Sequence, residues 1–247
     1  MTTGDHRRWL SAPFRPRNYR AVTGTFATYP RPVEALRRYV WGSGDYPWTT
    51  SVRTPLGRAP VLIPHPHDVR TVNEVFCRHD YGTGSPRVVV DVGANIGLSA
   101  LYFLTRRPDS VVHCWEPLES NLAVLNTNVS VAADRCRIHR AALAPTAGVA
   151  AFLAEPIGRY SGLADSTGRS AQHVEIDVVC DGVEEALAQV LDEHGRIDLL
   201  KIDTEGSEAA LVAAIPKRFL PNIGTIVYER PGGVVHTCGA RLRAQDQ

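Results

Sequence analysis

The sequence lacks a strong net charge, a paired-cysteine motif and any long apolar run. Its formal charge is +1 over 247 residues, which as a whole-molecule property neither favours nor excludes nucleic acid as a partner. The five cysteines contain no Cys-x-x-Cys pair, which favours buried thiols in a reducing compartment over disulfides or a zinc site. No apolar run approaches the roughly 20 residues of a membrane-spanning helix, so no membrane segment is predicted.

The start of the sequence also lacks the apolar core of a signal peptide, so a cytoplasmic location is expected. The first 40 residues hold eight arginines against two acids, Asp5 and Glu34. We interpret this stretch as a solvated basic arm, with a patch for an anionic partner as the alternative. A nucleic-acid partner is therefore not favoured. The 25 arginines against two lysines suggest a GC-rich bacterial genome.

Length and composition fit one large α/β domain with a small addition. Hydrophobic residues make up 44% of the chain, which is enough for a proper core. We divide the chain into a basic N-terminal arm or cap (1–47), a segment with a hairpin and a helix (48–86), and a main domain (87–247). The linker Gly82-Thr-Gly-Ser-Pro86 sets the last boundary.

From residue 87 onward, apolar runs alternate with helical periodicity. Strands are predicted at 88–91, 111–115, 137–141, 149–153, 173–179, 197–202 and 224–228, and helices at 96–107, 119–129, 183–194 and 207–215. This alternation indicates a doubly wound, mostly parallel Rossmann-like α/β sheet. A small N-terminal α+β extension precedes it, with helices at 32–41 and 69–78 around a hairpin of strands 49–54 and 59–63.

The most informative motif is Val88-Val-Val-Asp-Val-Gly-Ala-Asn-Ile-Gly97, a buried strand that enters a glycine turn and then a helix. Such a turn lets a cofactor approach the backbone closely. Glu116 ends the next strand, 19 residues after Gly97, where an acid suits the two hydroxyls of an adenosine ribose. Asn95 within the turn and Asp91 before it favour S-adenosylmethionine over a dinucleotide, with Asp91 near the amino-acid end.

Two other function classes stay open at this point. A nicotinamide-dependent oxidoreductase shares the first turn and Glu116, although the Tyr-x-x-x-Lys motif of short-chain dehydrogenases is absent. A catalytically inactive S-adenosylmethionine-binding protein is the other, because only 18 residues follow Glu229. The usual last helix and antiparallel strands do not fit comfortably there, so we expect a shortened C-terminal end or completion of the sheet by the N-terminal strands.

The second motif is Asp198-Leu-Leu-Lys-Ile-Asp-Thr-Glu-Gly-Ser-Glu208, where a buried strand ends in acids. Lys201 and Asp203 share one face of that strand. We interpret Asp203 and Glu205 as functional, with a structural Lys–Asp pair as the alternative. For Glu208, an acid at a helix N-terminus is the preferred interpretation.

Five motifs together resemble a known family. They are Asp91-Val-Gly-Ala-Asn-Ile-Gly97, Trp115-Glu-Pro-Leu118, Arg140-Ala-Ala-Leu143, Leu199-Leu-Lys-Ile-Asp-Thr-Glu-Gly-Ser-Glu208 and Val227-Tyr-Glu229. In this order they resemble the FkbM family of S-adenosylmethionine-dependent methyltransferases, over roughly residues 61–229. The resemblance implies class I methyltransferase architecture and O-methylation of a hydroxyl on a sugar or small natural product.

The resemblance also implies roles for individual residues, and Ala141 is added because it ends a strand. It places Tyr81 and Glu74 over the amino-acid side of the cofactor. The predicted cofactor-binding residues are Tyr81, Asp91, Gly93, Ala94, Asn95, Gly97, Glu116, Pro117, Leu118 and Ala141. The predicted catalytic residues are Lys201, Asp203, Glu205 and Glu229.

The proposed chemistry needs an activated hydroxyl, because a sugar hydroxyl is a poor nucleophile at neutral pH. We expect Asp203 or Glu205 to accept its proton, directly or through a divalent ion held with Glu229. Mg²⁺ would suit such oxygen ligands. The acceptor and the oligomeric state are not encoded in any motif. Acceptor choice is expected to reside in the N-terminal segment and the loop Glu155–Ser170.

Overall fold

The computed structural model describes residues 16–155, 161–164, 174–230 and 233–238; the side chains of residues 16–19, 229, 230, 233 and 238 lie outside that description. The chain divides into two compact units, residues 1–83 and 84–247. Within the described part, no helix combines the length and the apolar character that crossing a membrane requires.

The first unit combines helices with a hairpin. Its elements are α1 (Pro16–Thr28), α2 (Pro32–Trp41), β1 (Trp48–Thr54), β2 (Gly57–Ile63), α3 (Asp68–Val72) and a π-helical turn (Asn73–Cys77). The predicted hairpin is confirmed, since β1 pairs antiparallel with β2 from Trp48↔Ile63 to Thr54↔Gly57. Helix α1 was not predicted. It packs on the π-helical turn, where Asn73 Nδ2 donates to Thr25 Oγ1 at 3.0 Å.

The second unit holds the alternating strands and helices. Its strands are β3 (Val88–Val92), β4 (Val111–Trp115), β5 (Cys136–His139), β6 (Ala142–Ala144), β7 (Gly148–Ala154), β8 (Gly162–Leu163), β9 (Val174–Gly182), β10 (Ile197–Ile202), β11 (Ile223–Arg230) and β12 (Gly233–Cys238). Its helices are α4 (Leu98–Leu104), α5 (Glu119–Asn128), α6 (Val183–His194) and α7 (Glu208–Ala214), with 3₁₀ turns at Ser130–Arg135 and Leu220–Asn222.

The central sheet has the order β12-β11-β10-β3-β4-β5 among the described residues. The pairs β3–β4, β4–β5, β3–β10 and β10–β11 are all parallel. Every residue of β3 is buried, as expected for the middle of a sheet covered on both faces. The predicted Rossmann-like α/β fold is therefore confirmed.

Helix α6 shows how the sequence builds the core. Its residues Val183, Leu187 and Val190 repeat at helical spacing and are all buried against the sheet. Burying a side chain such as Leu187 contributes about 1.5–3 kcal/mol. The helix ends at Gly195, whose φ of 77° lies in the left-handed region, so the predicted C-cap is confirmed.

The end of the sheet differs from the prediction. We expected 224–228 to be the last strand and saw no comfortable room for an antiparallel pair. The structure adds β12 antiparallel to β11, in a register that runs from Thr225↔Cys238 to Arg230↔Gly233. An antiparallel neighbour needs only a short hairpin connection, whereas a parallel one needs a crossover. The β-branched pair Val234-Val235 was the missed signal.

The strands predicted at 149–153 and 173–179 form a second sheet, of order β6-β9-β7-β8. In it β7 and β9 pair antiparallel from Gly148↔Cys180 to Ala154↔Val174. Its apolar face buries Leu118, Phe152 and Val178. Of the loop Glu155–Ser170 that we expected to influence acceptor choice, residues 156–160 and 165–170 lie outside the described residues.

Candidate functional site

Three neighbouring strands bring the predicted site residues to one edge of the central sheet. Val92 of β3 pairs with Trp115 of β4 and with Ile202 of β10. Because these strands are parallel, the residues that follow them emerge at the same carboxyl edge. Gly93 and Asp203 therefore begin adjacent loops, and Glu116 begins the third.

The first loop is a tight turn with three left-handed residues. Gly93, Asn95 and Gly97 have φ values of 72°, 48° and 79°. Asparagine is among the few residues with a side chain that tolerate this region. The backbone N–H groups of Gly93 and Ala94 donate to the Trp115 carbonyl at 3.0 and 3.1 Å, which ties the turn to β4.

The turn also touches the loop after β10. The backbone N–H of Asp203 donates to the Val92 carbonyl at 3.1 Å. A Cβ placed on Gly93 would lie 2.0 Å from the Asp203 carbonyl oxygen. Only glycine therefore permits this approach of the two loops, which fixes Asp203 beside the turn.

Replacing Gly93 with alanine is expected to cost much more than replacing Gly195 with alanine. Both positions have positive φ, 72° and 77°, which costs an alanine about 1–2 kcal/mol. A Cβ on Gly195 would meet nothing within 4 Å, whereas one on Gly93 would collide with backbone. Urea unfolding of G93A and G195A measures the difference. Equal losses would show that the Asp203 loop does not restrict position 93.

Glu116 organises the turn after β4 and is almost fully buried, at 4% exposure. Its Oε2 accepts from the Asn95 N–H at 2.9 Å. Its Oε1 accepts from the Leu118 N–H at 3.0 Å and from Asn121 Nδ2 at 3.1 Å. Burial raises the pKa of the Glu116 carboxyl, and these hydrogen bonds oppose that shift by favouring the charged form. Asn121 was missed by the sequence analysis.

Asp91 and Lys201 form an ion pair inside the protein. Their side chains are 0% and 2% exposed, and Lys201 Nζ lies 2.8 Å from Asp91 Oδ1. Nζ also donates to the Gly93 carbonyl at 3.0 Å, and Ser99 Oγ donates to Asp91 Oδ2 at 2.6 Å. The sequence analysis did not predict this pair, since the structural alternative considered there was a pair between Lys201 and Asp203. Contact of Asp91 with a cofactor stays a prediction.

Two neighbouring carboxylates stabilise the charged form of Lys201. Burial alone lowers the pKa of the Lys201 ammonium, but the negative charges of Asp91 and Asp203 raise the pKa above its ordinary value. Lys201 Nζ lies 3.8 Å from Asp203 Oδ2. The buried pair therefore extends to the carboxyl edge through Asp203, whose side chain is 32% exposed.

The loop after β10 carries Asp203 and Glu205, and the Glu208 carboxylate at its end hydrogen-bonds to the backbone of the loop. Glu205 has a φ of 57°, an uncommon conformation for a residue with a side chain and one that often marks functional sites. The Glu208 carboxylate accepts from the backbone N–H groups of Thr204 at 2.8 Å and Gly206 at 2.9 Å. The expected position of Glu208 at a helix N-terminus is confirmed, since it is the first residue of α7.

The remaining predicted residues differ in what surrounds them. Ala94, Leu118 and Ala141 are buried, and the latter two pack in apolar clusters. Pro117 is half-buried. Tyr81 belongs to the first unit, and the side chain of Glu229 lies outside the described residues. Their roles toward a cofactor or acceptor stay predictions.

Comparison with known proteins identifies a family. Residues 91–233 match the family described as Methyltransferase FkbM domain. The chain is 28% identical to the AMB antimetabolite synthetase AmbE of Pseudomonas aeruginosa, with 64% of this chain and 9% of that protein covered. It is 29% identical to the 31-O-demethyl-FK506 methyltransferase FkbM of Streptomyces tacrolimicus, with 62% and 69% covered.

Two further proteins are similar to this chain. Methyltransferase sdnD of Sordaria araneosa is 25% identical, with 65% of this chain and 74% of that protein covered. A solved structure of a putative caffeoyl-CoA O-methyltransferase from Staphylococcus aureus is 13% identical, with a TM-score of 0.35, and 58% of this chain and 50% of that chain are covered. The match over residues 91–233 spans more than half of the sequence and includes Glu116 and Asp203 at the carboxyl edge. The chain therefore belongs to the FkbM methyltransferase domain family.

Proposed function

We propose that this protein transfers a methyl group from S-adenosylmethionine to a hydroxyl group of a sugar or small natural product. The observation that carries the proposal is the juxtaposition of the glycine turn, Glu116 and Asp203 at one edge of the sheet, within the segment that matches the family. The relative named as a 31-O-demethyl-FK506 methyltransferase supports oxygen as the acceptor atom.

The residues at the edge fit an adenosyl cofactor. Each carboxylate oxygen accepts two hydrogen bonds, and among the described residues Glu116 Oε2 accepts one, from the Asn95 N–H. A ribose hydroxyl would supply the next donor. The turn of Gly93, Asn95 and Gly97 places backbone at this edge, and the amino-acid part of the cofactor would lie against that backbone.

The residues after β10 are assigned to binding and activating the acceptor hydroxyl. When bound, S-adenosylmethionine supplies an electrophilic methyl group. Asp203 is partly exposed and is held by its backbone N–H and by the Lys201 ammonium. We assign it the acceptance of the hydroxyl proton, with Glu205 orienting the acceptor. Most of the remaining rate enhancement would come from alignment of the hydroxyl.

A divalent ion at this edge is a separate hypothesis. Asp203 and Glu205 offer oxygen ligands of the type that Mg²⁺ prefers. The side chain of Glu229, the third predicted ligand, lies outside the described residues. We assign no step to the ion. Turnover with EDTA against turnover with added Mg²⁺ tests the dependence.

Replacing Glu116 with alanine is expected to weaken binding of S-adenosylmethionine and S-adenosylhomocysteine by about 100-fold, because hydrogen bonds to a charged group contribute about 1.5–3 kcal/mol each. Calorimetric titration of both ligands measures the loss. Glu119→Ala is the matched control, because Glu119 is 74% exposed and pairs with Arg140. Circular dichroism checks that both variants are folded.

The same titration separates the proposal from its rivals. Binding of NADH without either adenosyl ligand would favour the oxidoreductase. Adenosyl binding with no turnover over a panel of hydroxylated acceptors would favour the inactive binding protein. Binding of both adenosyl ligands, lost in E116A and kept in E119A, supports the methyltransferase and justifies the acceptor screen.

A further inference from the structure

A cluster of three imidazole rings lies on the side of the central sheet that α6 covers. His113, in the middle of β4, is 1% exposed. Its Nε2 lies 3.0 Å from Nε2 of His194, the last residue of α6. The rings of His113 and His194 meet edge to face, with centroids 5.3 Å apart and an interplanar angle of 76°. The two ring nitrogens are therefore in close contact, and the two rings are not stacked.

A carboxylate completes the set of ligand atoms. Glu193 Oε1 lies 3.4 Å from His194 Nε2, and one atom each from His113, Glu193 and His194 falls within 4.8 Å of the others. Nitrogens bound to one ion at about 2.0–2.1 Å lie roughly 3.0–3.4 Å apart. The His113–His194 spacing of 3.0 Å and the Glu193–His194 spacing of 3.4 Å fall in this range. A single imidazole nitrogen has one hydrogen-bonding direction, so a direct hydrogen bond accounts for only one of the two close contacts at His194 Nε2.

Further groups fix the ring of His113. His139 Nε2 lies 3.5 Å from His113 Nδ1. The ring of His139 stacks on Trp115 with centroids 3.9 Å apart and an interplanar angle of 1°. Trp115 Nε1 in turn donates to Asp181 Oδ2 at 2.9 Å. A metal-binding histidine typically has its second nitrogen held in this way, which sets the tautomer and the ring orientation.

None of the three candidate ligand residues, His113, Glu193 and His194, belongs to the proposed methyl-transfer site. His194 lies three residues before the start of β10 at Ile197, and therefore near the amino edge of that strand. Asp203 follows the carboxyl end of the same strand. An ion at the cluster would join the end of α6 to the middle of β4. The side chain of Glu193 is 45% exposed, which leaves a route for entry from solvent.

We infer that His113 Nε2, His194 Nε2 and Glu193 Oε1 bind one divalent transition-metal ion of the Zn²⁺ class, with water in the remaining positions. Two imidazoles and one carboxylate form a ligand set suited to Zn²⁺, Co²⁺ or Ni²⁺ and poorly suited to Mg²⁺ or Ca²⁺. Its role is structural, because it would link α6 to β4 and uses none of the residues assigned to methyl transfer.

The test is calorimetric titration of the chelator-treated full chain with Zn²⁺. We expect one Zn²⁺ per chain, with affinity reduced by at least about tenfold in His194→Gln and in Glu193→Gln. His236→Gln is the matched control, because His236 is an exposed histidine on β12. The H236Q variant should bind Zn²⁺ with the affinity of the wild type. Glu193 is solvent-exposed at its carboxylate, so E193Q keeps the test valid if H194Q does not fold, as judged by circular dichroism.

A second measurement identifies the ligand atoms. Cys77, Cys114, Cys136 and Cys180 are free and buried, and thiolates could capture Zn²⁺ if the chain opened. The Co²⁺-loaded protein should therefore show visible d–d bands without a thiolate-to-cobalt charge-transfer band. Absence of a saturable Zn²⁺ site, equal affinity in wild type, H194Q and E193Q, or a thiolate band would each overturn the inference. Absence of a saturable site would show that His113 and His194 form only a hydrogen-bonded pair.

Discussion

Replacing Lys201 with methionine is expected to lower the free energy of unfolding by about 3–5 kcal/mol, because it leaves the Asp91 carboxylate buried without its cation. Asp91 is 0% exposed and Lys201 Nζ lies 2.8 Å away. The remaining hydrogen bond from Ser99 Oγ, at 2.6 Å, cannot replace a full opposite charge. Urea unfolding followed by circular dichroism measures the loss, with an unchanged m-value as evidence that only stability has changed.

Lys217→Met is the matched control for this prediction, because Lys217 is the other lysine of the chain and is exposed. It should change the free energy of unfolding by less than about 0.5 kcal/mol. The double variant Asp91→Asn, Lys201→Met should recover part of the loss, since it removes both charges. A loss below about 1 kcal/mol in K201M would show that the pair is not an essential part of the core.

Replacing Asp203 with asparagine is expected to reduce kcat by about 10²–10⁴-fold, the usual contribution of a positioned general base. The change keeps the side-chain volume and the backbone hydrogen bond to Val92, so the dissociation constant of S-adenosylmethionine should change little. Steady-state kinetics with an acceptor identified by the screen measures kcat, and calorimetry measures cofactor binding.

Two comparisons make the Asp203 prediction specific. Asp134→Asn changes an exposed aspartate away from the carboxyl edge and should leave kcat unchanged. Glu205→Gln should reduce kcat less than D203N, because Glu205 is assigned an orienting role. A larger effect in E205Q would transfer the proton-accepting role to Glu205, whereas unchanged turnover in D203N would remove Asp203 from the mechanism.

The sequence by itself determined the parallel strands of the central sheet, the helices between them and the residues at the carboxyl edge. The predicted bounds of α6 and β10, 183–194 and 197–202, agree with the structure, because a helical apolar repeat and a left-handed glycine cap are local signals. The position of Glu116 and Asp203 followed from the same logic, since parallel strands present their carboxyl ends at one edge.

The tertiary structure decided which distant residues contact one another. The contact of Lys201 with Asp91 joins residues 110 positions apart, and that of His113 with His194 joins residues 81 apart. The pairing of β12 with β11 and the separate sheet of β6 to β9 were also visible only in three dimensions. A periodic pattern encodes which face of an element is buried, but the partner across that face is chosen by packing between distant segments.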